Sequence, residues 1–547
     1  MKYLFLLSFA LIINMHPAYA QSKSLAAEVA ATAMATLWKV PVGADTAKPT
    51  KWTYGQSIGL LGIERLWIQT ANPAYFSYLQ NSINYFISEN GDIKFHKVQD
   101  YDIDNILLGR ILLSLYNVTG QVKYYKAASL LRDQLKAQLR KNEGILYMGE
   151  PFYAAYAKQF HEPEAFDDIA NRFIRMEQHA RDAKTGLYEM ALVDVLENFP
   201  VAHPKRDTLV SIFKRRVDAI KKVQVSASAM FVYANAKAVR LGFLPASYLA
   251  VSKKGYEGIL KQFIDTSKEG YANLKGALSG DPSGAGVFIL AATEMEWHAA
   301  PKLGKNKVFL LDDYYNAEKK KDIKGVEYAY HYKWPEMYNN GFSFLGNIIT
   351  TNGLQTKTLS QAPTAGNLKN ASIYMIVDAD NIADNPTPNY MNDRDAQEIY
   401  NWVKAGGVLV LFHNDKPNAD FTAINKLSDL FGIHFNEDTY NKVVGTNYVG
   451  GKIDVPTGNQ IFKNVQTIYQ KEVCSITAKS PAKSLLTKGD LVVFATAKIG
   501  KGTVFATGDP WLYNEYTDGR MLPAMYQNAE AAKDLVKWLI SQIPGKK

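Results

Sequence analysis

Apolar residues recur at spacings of three and four through most of the first 300 positions, the mark of helices that bury one face. The spacing predicts helices over 25–38, 54–70, 73–88, 103–117, 122–139 and 148–160. It predicts a second set over 164–182, 190–198, 205–223, 226–241, 248–266 and 284–299. Turn-forming pairs and prolines such as Asn90-Gly91, Thr119-Gly120 and Pro204 separate them. Twelve helices with short links and no strand pattern between them suit six helical hairpins closed into an all-α (α/α)6 barrel over residues 21–300. A helical solenoid would use the same elements.

The pattern changes near residue 300. Apolar runs at 308–311, 373–377, 407–412 and 503–507 read as strands, and helical stretches at 341–351, 393–405, 420–431 and 528–542 lie between or after them. This alternation predicts a second domain, 301–547, on a parallel α/β sheet, with 299–307 as the linker. Asp312, Asp378, Asp415 and Asp509 follow the four strands, and 509–514 adds aromatics. Carboxyl ends of parallel strands are where such folds take ligands, so these acids mark a candidate cleft. Acids in the same places also cap loops.

Composition narrows the class. Hydrophobic residues at 47% and charged residues at 21% exclude a disordered, collagen-like or coiled-coil chain. The net charge of +9 is spread without a run of five like charges, so no nucleic-acid partner is expected. Aromatics at 12% fit a large aromatic core or a cleft that stacks sugar rings. The one cysteine, Cys474, excludes a disulfide framework and reads as a buried, inert thiol in a strand-like stretch. At the start, Lys2, the apolar run 3–15 and Ala18-Tyr19-Ala20 before Gln21 read as an export leader, 1–20, which predicts a periplasmic or secreted chain. That apolar run is too short to span a bilayer, no later run reaches 18 apolar residues, and no membrane anchor is expected.

Motifs for phosphate, zinc or serine-nucleophile chemistry are absent, so neither a metal nor a cofactor is expected. Carboxylates and aromatics remain. Lys51-Trp52-Thr53-Tyr54-Gly55-Gln56 starts one helix, and Asp100-Tyr101-Asp102-Ile103-Asp104-Asn105 starts another. An acid in a first helical turn is favoured by the helix dipole, so capping accounts for Asp100, Asp102 and Asp104 as well as chemistry does.

Further ordered blocks join these two: Leu146-Tyr147-Met148-Gly149-Glu150-Pro151-Phe152-Tyr153-Ala154, His179-x-Arg181-Asp182-x-Lys184-Thr185-Gly186-Leu187, and Met190 to Leu196. Ser226 to Ala234 and Leu290-Ala291-Ala292-x-Glu294-Met295-Glu296 complete the series. Together they resemble the unsaturated rhamnogalacturonyl hydrolases, glycoside hydrolase family 105, over about residues 25–300. The resemblance implies an (α/α)6 barrel and, as substrate, an oligosaccharide ending in a 4,5-unsaturated uronic acid from pectin. Such enzymes protonate the vinyl ether and add water at C5, and the hemiketal then opens to release the sugar. One carboxylic acid with a pKa near the working pH serves this, without the fixed carboxylate pair of ordinary glycosidases. By resemblance Asp104 assists catalysis, and Trp52, Tyr54, Asn105, Tyr147, Glu150 and Tyr153 line the substrate pocket.

The chain departs from the family pattern at the pocket. Counting back from Leu146, Gly144 stands where the proton-donor Asp is expected. Glu143 is the nearest carboxylate and a weak substitute candidate, since it reads first as a solvated loop acid. Segments after Tyr188 and between Leu274 and Gly286 are also shortened. These losses predict impaired hydrolysis or, as the alternative, a non-catalytic oligosaccharide-binding or scaffold protein on the same barrel. The second domain resembles a glutamine-amidotransferase-like fold of flavodoxin type. His413 rather than Cys follows its central strand and Cys474 lies elsewhere, which disfavours amidotransferase chemistry.

Overall fold

The helical period of the first 300 residues resolves into twelve α-helices among the described residues. They are α1 (Leu25–Thr36), α2 (Tyr54–Thr70), α3 (Pro73–Phe86), α4 (Leu108–Thr119), α5 (Val122–Gln138) and α6 (Leu146–Gln159), then α7 (Ala165–His179), α8 (Leu187–Asn198), α9 (Arg206–Val223), α10 (Ala229–Arg240), α11 (Leu249–Phe263) and α12 (Pro282–Ala299). The computed structural model describes residues 24–36, 52–138, 146–179, 186–223, 228–268, 271–275 and 282–545. The chain forms two compact units, Met1–Ala299 and Ala300–Lys547. The predicted leader and the 139–145 segment, with Glu143 and Gly144, lie outside the described residues.

In the first unit α2, α4, α6, α8, α10 and α12 each pack on the next, and α12 returns onto α2. The other six lie outside this ring: α3 on α2, α5 on α4, α7 on α6, α9 on α8, α11 on α10 and α1 on α12. This closed double ring is an (α/α)6 barrel. Sequence assigns the layers. Inner helices are covered on all sides, so α12 is buried without a break from Ala285 to Met295 and α8 from Tyr188 to Leu196. Among its described side chains outer α7 buries Ala165, Phe166, Ile169, Ala170 and Phe173, a single stripe. The ring closes through glycine: a Cβ on Gly286 would lie 2.5 Å from the Ile58 carbonyl oxygen, and one on Gly62 2.9 Å from the Gly286 oxygen.

Two readings of this unit change. The helix expected to reach 266 stops at Phe263, and β1 (Ile264–Lys268) pairs antiparallel with β2 (Tyr271–Leu274). The β-branched Ile264 and Thr266 favour extended backbone there. The helix expected from 103 begins at Leu108, after a 3-10 turn over Ile103–Asn105.

The second unit holds β3 (Val308–Asp312), the exposed hairpin β4 (Lys319–Lys321) and β5 (Glu327–Ala329), α13 (Ser343–Thr351), β6 (Gln355–Leu359), α14 (Ala365–Leu368) and β7 (Ile373–Val377). After these come α15 (Asp393–Ala405), β8 (Val408–Phe412), α16 (Phe421–Ser428), β9 (Ile433–Phe435), β10 (Lys452–Asp454), β11 (Thr467–Tyr469) and β12 (Ile476–Ala478). The chain ends with β13 (Ala482–Lys488), β14 (Leu491–Ile499), β15 (Gly502–Thr507), α17 (Asn514–Thr517) and α18 (Asn528–Gln542). The main sheet has the order β13-β14-β15-β8-β7-β3-β6. From β15 to β6 all neighbours are parallel, in the flavodoxin-type order. The sheet is mixed rather than wholly parallel, because β14 runs antiparallel to β15 and β13 antiparallel to β14. The tight connections Gly489-Asp490 and Gly500-Lys501 leave no room for a crossover helix, so these strands must reverse. Strands β7 and β8 are buried at every position and separate two apolar layers, one on each face.

Candidate functional site

Charged residues interrupt the apolar inner helices of the barrel, and the ring brings them together. Asp194, on α8, sits in the run Ala191-Leu192-Val193-Asp194-Val195-Leu196 and is 1% exposed. An ionised carboxylate there must be paired. Arg110 of α4 donates to its Oδ2 at 2.6 Å, while Lys237 and the Tyr233 hydroxyl, both of α10, donate to Oδ1 at 2.6 and 2.7 Å. Lys237 also reaches Glu197 at 2.8 Å. Beside them Arg240 holds Glu294 of α12 through two bonds, 2.7 and 2.8 Å, and Arg65 of α2 stands 3.7 Å from the same carboxylate. Burial works against the charged form of Asp194, but Arg110 and Lys237 outweigh it and hold the carboxyl below its ordinary range. Burial is likewise outweighed at Glu294 by Arg240 and Arg65. Neither carboxyl carries a proton to donate at neutral pH.

Two of the sequence-predicted residues face this cluster. Tyr54 starts α2 and Tyr147 lies in the first turn of α6, their rings edge to face at 6.1 Å. Tyr147 is 5% exposed and its hydroxyl has no hydrogen-bond partner among the described residues. Burial, reinforced by Asp194, pushes that hydroxyl well above its ordinary pKa, so it stays a neutral donor. Asp104 and Asn105 lie on the 3-10 turn, which packs against α4 and α6. Asp102 caps the turn by accepting from the Asp104 backbone N–H at 3.1 Å, so capping explains Asp102. Asp104 is half-buried and Asn105 buried.

The other predicted residues are packed between helices. Trp52 is 2% exposed, donates its indole N–H to Ser57 Oγ at 2.6 Å, and meets Phe86 edge-on. Tyr153 lies under the Arg132 guanidinium at 3.9 Å. Glu150 is fully buried, and Arg172, at 3.6 Å, is too far for a hydrogen bond. Arg132 and Arg172 belong to the outer helices α5 and α7, so Glu150 and Tyr153 turn outward to the helix interface instead of joining Tyr54 and Tyr147 as a pocket wall. The sequence reading missed Arg110, Asp194, Tyr233 and Lys237 as a cluster. An acid inside an apolar run was the available signal.

Burial raises the Glu150 carboxyl to about 8 against the opposing pull of Arg172. Its raised folded pKa costs nothing below about pH 4.3, where the carboxyl is neutral in both states. Above that the unfolded chain ionises first, so the contribution to stability falls as pH rises toward 8. Glu150→Gln is therefore expected to match the parent near pH 4.5 and to exceed it by on the order of 1–3 kcal/mol at pH 8. Denaturant midpoints at the two pH values check this, and an equal difference at both would refute it.

In the second unit the four strand-end acids divide. Asp312 accepts from the Tyr374 hydroxyl at 2.5 Å and from the Tyr315 and Tyr314 backbone N–H groups at 2.6 and 3.1 Å, a closed cap. Asp415 accepts from Asn418 at 2.8 Å. Asp378 Oδ1 and Asp509 Oδ2 have no hydrogen-bond partner among the described residues, although both side chains are buried. Cys474 is buried just ahead of β12, and burial pushes its thiol well up, so it offers no ready thiolate. His413 lies between Phe421 and Phe435, and burial lowers its pKa to about 3. Among the described residues one group has metal-ligand geometry: Glu318, His331 and Asp378, whose ligand atoms lie within 4.8 Å of one another. No described helix is long and apolar enough to cross a membrane.

Residues 26–189 and 224–298 match the model of Glycosyl Hydrolase Family 88. Among solved structures, a glycoside hydrolase from family 105 of C. acetobutylicum ATCC 824 is 27% identical, covering 50% of this chain and 99% of its own, with a TM-score of 0.44. A possible member of the GH105 family from Salmonella enterica serovar Paratyphi A is 16% identical, covering 52% and 97%, with a TM-score of 0.41. A glycosyl hydrolase family 88 protein from Bacteroides vulgatus is 14% identical, covering 46% and 93%, with a TM-score of 0.37.

Proposed function

We propose that this chain, a relative of glycoside hydrolase families 88 and 105 in its helical unit, takes oligosaccharides that end in a 4,5-unsaturated uronic acid and hydrates them slowly or not at all. A glycosidase-type barrel acts on carbohydrate. The unsaturated uronyl end is the finer part of the reading and rests on the ordered blocks from Trp52 to Glu296. The observation that carries reduced turnover is Gly144 at the place of the proton-donor Asp. Loss of a general acid costs ~10²–10⁴-fold in rate. In the barrel interior Asp194 and Glu294 are held ionised by Arg110, Lys237 and Arg240, whereas burial raises the carboxyl of Glu64 on α2 above its ordinary value against the pull of Ser114, Arg110 and Arg65. Asp104, half-buried on its turn against α6, is the carboxyl the resemblance assigns to the task, and Glu64 is a second barrel carboxyl that is not held ionised. Export to the periplasm or beyond, on residues 1–20, is part of the same reading.

A barrel that binds such ends without turning them over is the second reading, and Gly144 favours it too. The test uses the purified chain with unsaturated galacturonyl-rhamnose, following loss of the double bond's ultraviolet absorbance and, in parallel, binding by calorimetry. Binding with turnover close to the buffer rate is the expected result. Fast turnover would sink the claim of impairment, and absence of both binding and turnover from a folded chain would sink the substrate class. Asp104→Asn then removes whatever turnover remains, and an unchanged rate would take Asp104 out of the mechanism.

A further inference from the structure

The strand order of the second unit makes a crevice. From β3 the chain crosses to β6 on one side, and from β7 onward the strands add on the other, so the connections part at the carboxyl ends of β3 and β7. Parallel α/β sheets take their ligands at such a point. Here a cavity of about 230 Å³ is lined by His331, Tyr332, Asp378, Asn414, Asp509 and Tyr513 among others.

The sequence loads this cavity with acid. Asp378, Asp384, Glu472 and Asp509 line it, against one lysine, Lys471. Two of these carboxylates lack a partner on one oxygen: Asp378, in a side chain 6% exposed, and Asp509, in one 3% exposed. A buried carboxylate oxygen without a donor is costly, so an occupant that supplies positive charge is what the lining lacks.

The side chains that would receive it are held in place. Asp378 is the first residue past β7; its N–H donates to the Phe412 carbonyl at 2.8 Å, and its own carbonyl accepts from Asn316 Nδ2 at 2.9 Å. The His331 imidazole stacks on Tyr332 at 4.0 Å and on Tyr330 at 5.4 Å. Its Nδ1 stands 2.6 Å from Glu318 Oε1. The Tyr330 N–H donates to the Glu318 carbonyl at 3.0 Å, which ties the two sides of the β4–β5 hairpin together.

We propose that Glu318, His331 and Asp378 form a divalent-metal site at the switch point of this sheet. One imidazole and two carboxylates suit a first-row ion such as Zn²⁺ or Mn²⁺, whereas Ca²⁺ asks for six to eight oxygens and no nitrogen. Ligand atoms within 4.8 Å need only small side-chain rotations to close on one ion, whose bonds run ~2.0–2.2 Å. Binding replaces the hydrogen bond between His331 Nδ1 and Glu318 Oε1 with bonds to the ion and brings positive charge to the buried Asp378 carboxylate. The cavity beyond the ion is lined by Asp509, Asn414 and Tyr513, groups that hydrogen-bond a polar ligand or metal-bound water. The site is built wholly from residues of the second unit, and its test does not depend on carbohydrate turnover.

The experiment uses the full chain without an affinity tag, stripped by chelator and titrated calorimetrically with Zn²⁺, Mn²⁺ and Ca²⁺ in turn, with metal content measured after dialysis. One equivalent of Zn²⁺ or Mn²⁺ per chain at micromolar affinity or tighter is expected. Asp378→Asn and His331→Gln should each weaken it at least tenfold, while Glu472→Gln, on the cavity wall but outside the trio, should bind within twofold of the parent. Unfolding midpoints of the stripped proteins identify any variant that fails to fold, and the other ligand variant then carries the test. Substoichiometric metal overturns the proposal. So does binding untouched in the folded ligand variants, loss of equal size in Glu472→Gln, or preference for Ca²⁺.

Discussion

Asp194→Ala is expected to cost the barrel ~3–5 kcal/mol, the range for removing one partner of a buried ion pair. The deletion does more than lose three hydrogen bonds. Arg110 and Lys237 both point at this carboxylate, and Lys237 is 3% exposed, so its ammonium cannot turn to water without opening α10. Glu197 remains as its one close carboxylate. The measurement is the denaturant transition that carries the far-UV helical signal, and a shift below about 1 kcal/mol would show that the cluster relaxes. The same groups set the acid limit. Asp194 and Glu294 titrate below their unfolded values, so their stabilisation is full above about pH 4 and is lost as pH falls below it. In Asp194→Ala part of that loss has already been taken, and the remaining fall with acid should be shallower than in the parent.

The helices were legible where local chemistry sets their ends. Thr53 and Gln56 form a capping box ahead of α2, Asn392 caps α15, and both helices begin where the pattern places them. The twelve helices were legible because the apolar spacing repeats with short links, but that spacing fits a closed ring and a solenoid alike, and the family resemblance chose the ring. The edge strand β6, Gln-Thr-Lys-Thr-Leu, was not, because its mostly exposed, polar positions carry no apolar run. The barrel cluster was not legible for another reason. Arg110 and Asp194 stand 84 positions apart, and Lys237 and Asp194 43 apart. Periodicity tells which face of a helix is inward, but the ring decides which inward residues meet. Asp312 and Asp378 make the point in one sheet. Both follow apolar strands, yet Asp312 is closed by Tyr374, 62 positions away, and Asp378 keeps a bare oxygen toward the crevice. Trp52 and Tyr54, two positions apart in one conspicuous block, go to core and cluster respectively, because the capped start of α2 points them to different sides.

Gly286→Val should destabilise the barrel by several kcal/mol or prevent its closure, since overpacking a tight core already costs ~1–3 kcal/mol where side chains can give way. Here they cannot. A Cβ at 286 would lie 2.5 Å from Ile58 O, 2.6 Å from Ile58 C and 2.7 Å from Gly59 Cα, all backbone atoms of α2. No rotamer relieves contact with backbone, so α12 must move off α2, and that is the contact through which the ring closes. Gly62 faces the same seam less tightly, at 2.9 Å from Gly286 O, and Gly62→Ala should cost less. Propensity pulls the other way, because Gly to Ala in a helix interior gains ~1 kcal/mol where space is free. Gly258 on α11 is such a place, exposed and with nothing within 4 Å of an added Cβ. Gly258→Ala should therefore raise the helical transition while Gly286→Ala and, more strongly, Gly286→Val lower it. The opposite signs separate crowding at the seam from any general effect of replacing glycine, and a Gly286→Val chain as stable as the parent would mean that α2 and α12 do not close the ring this tightly.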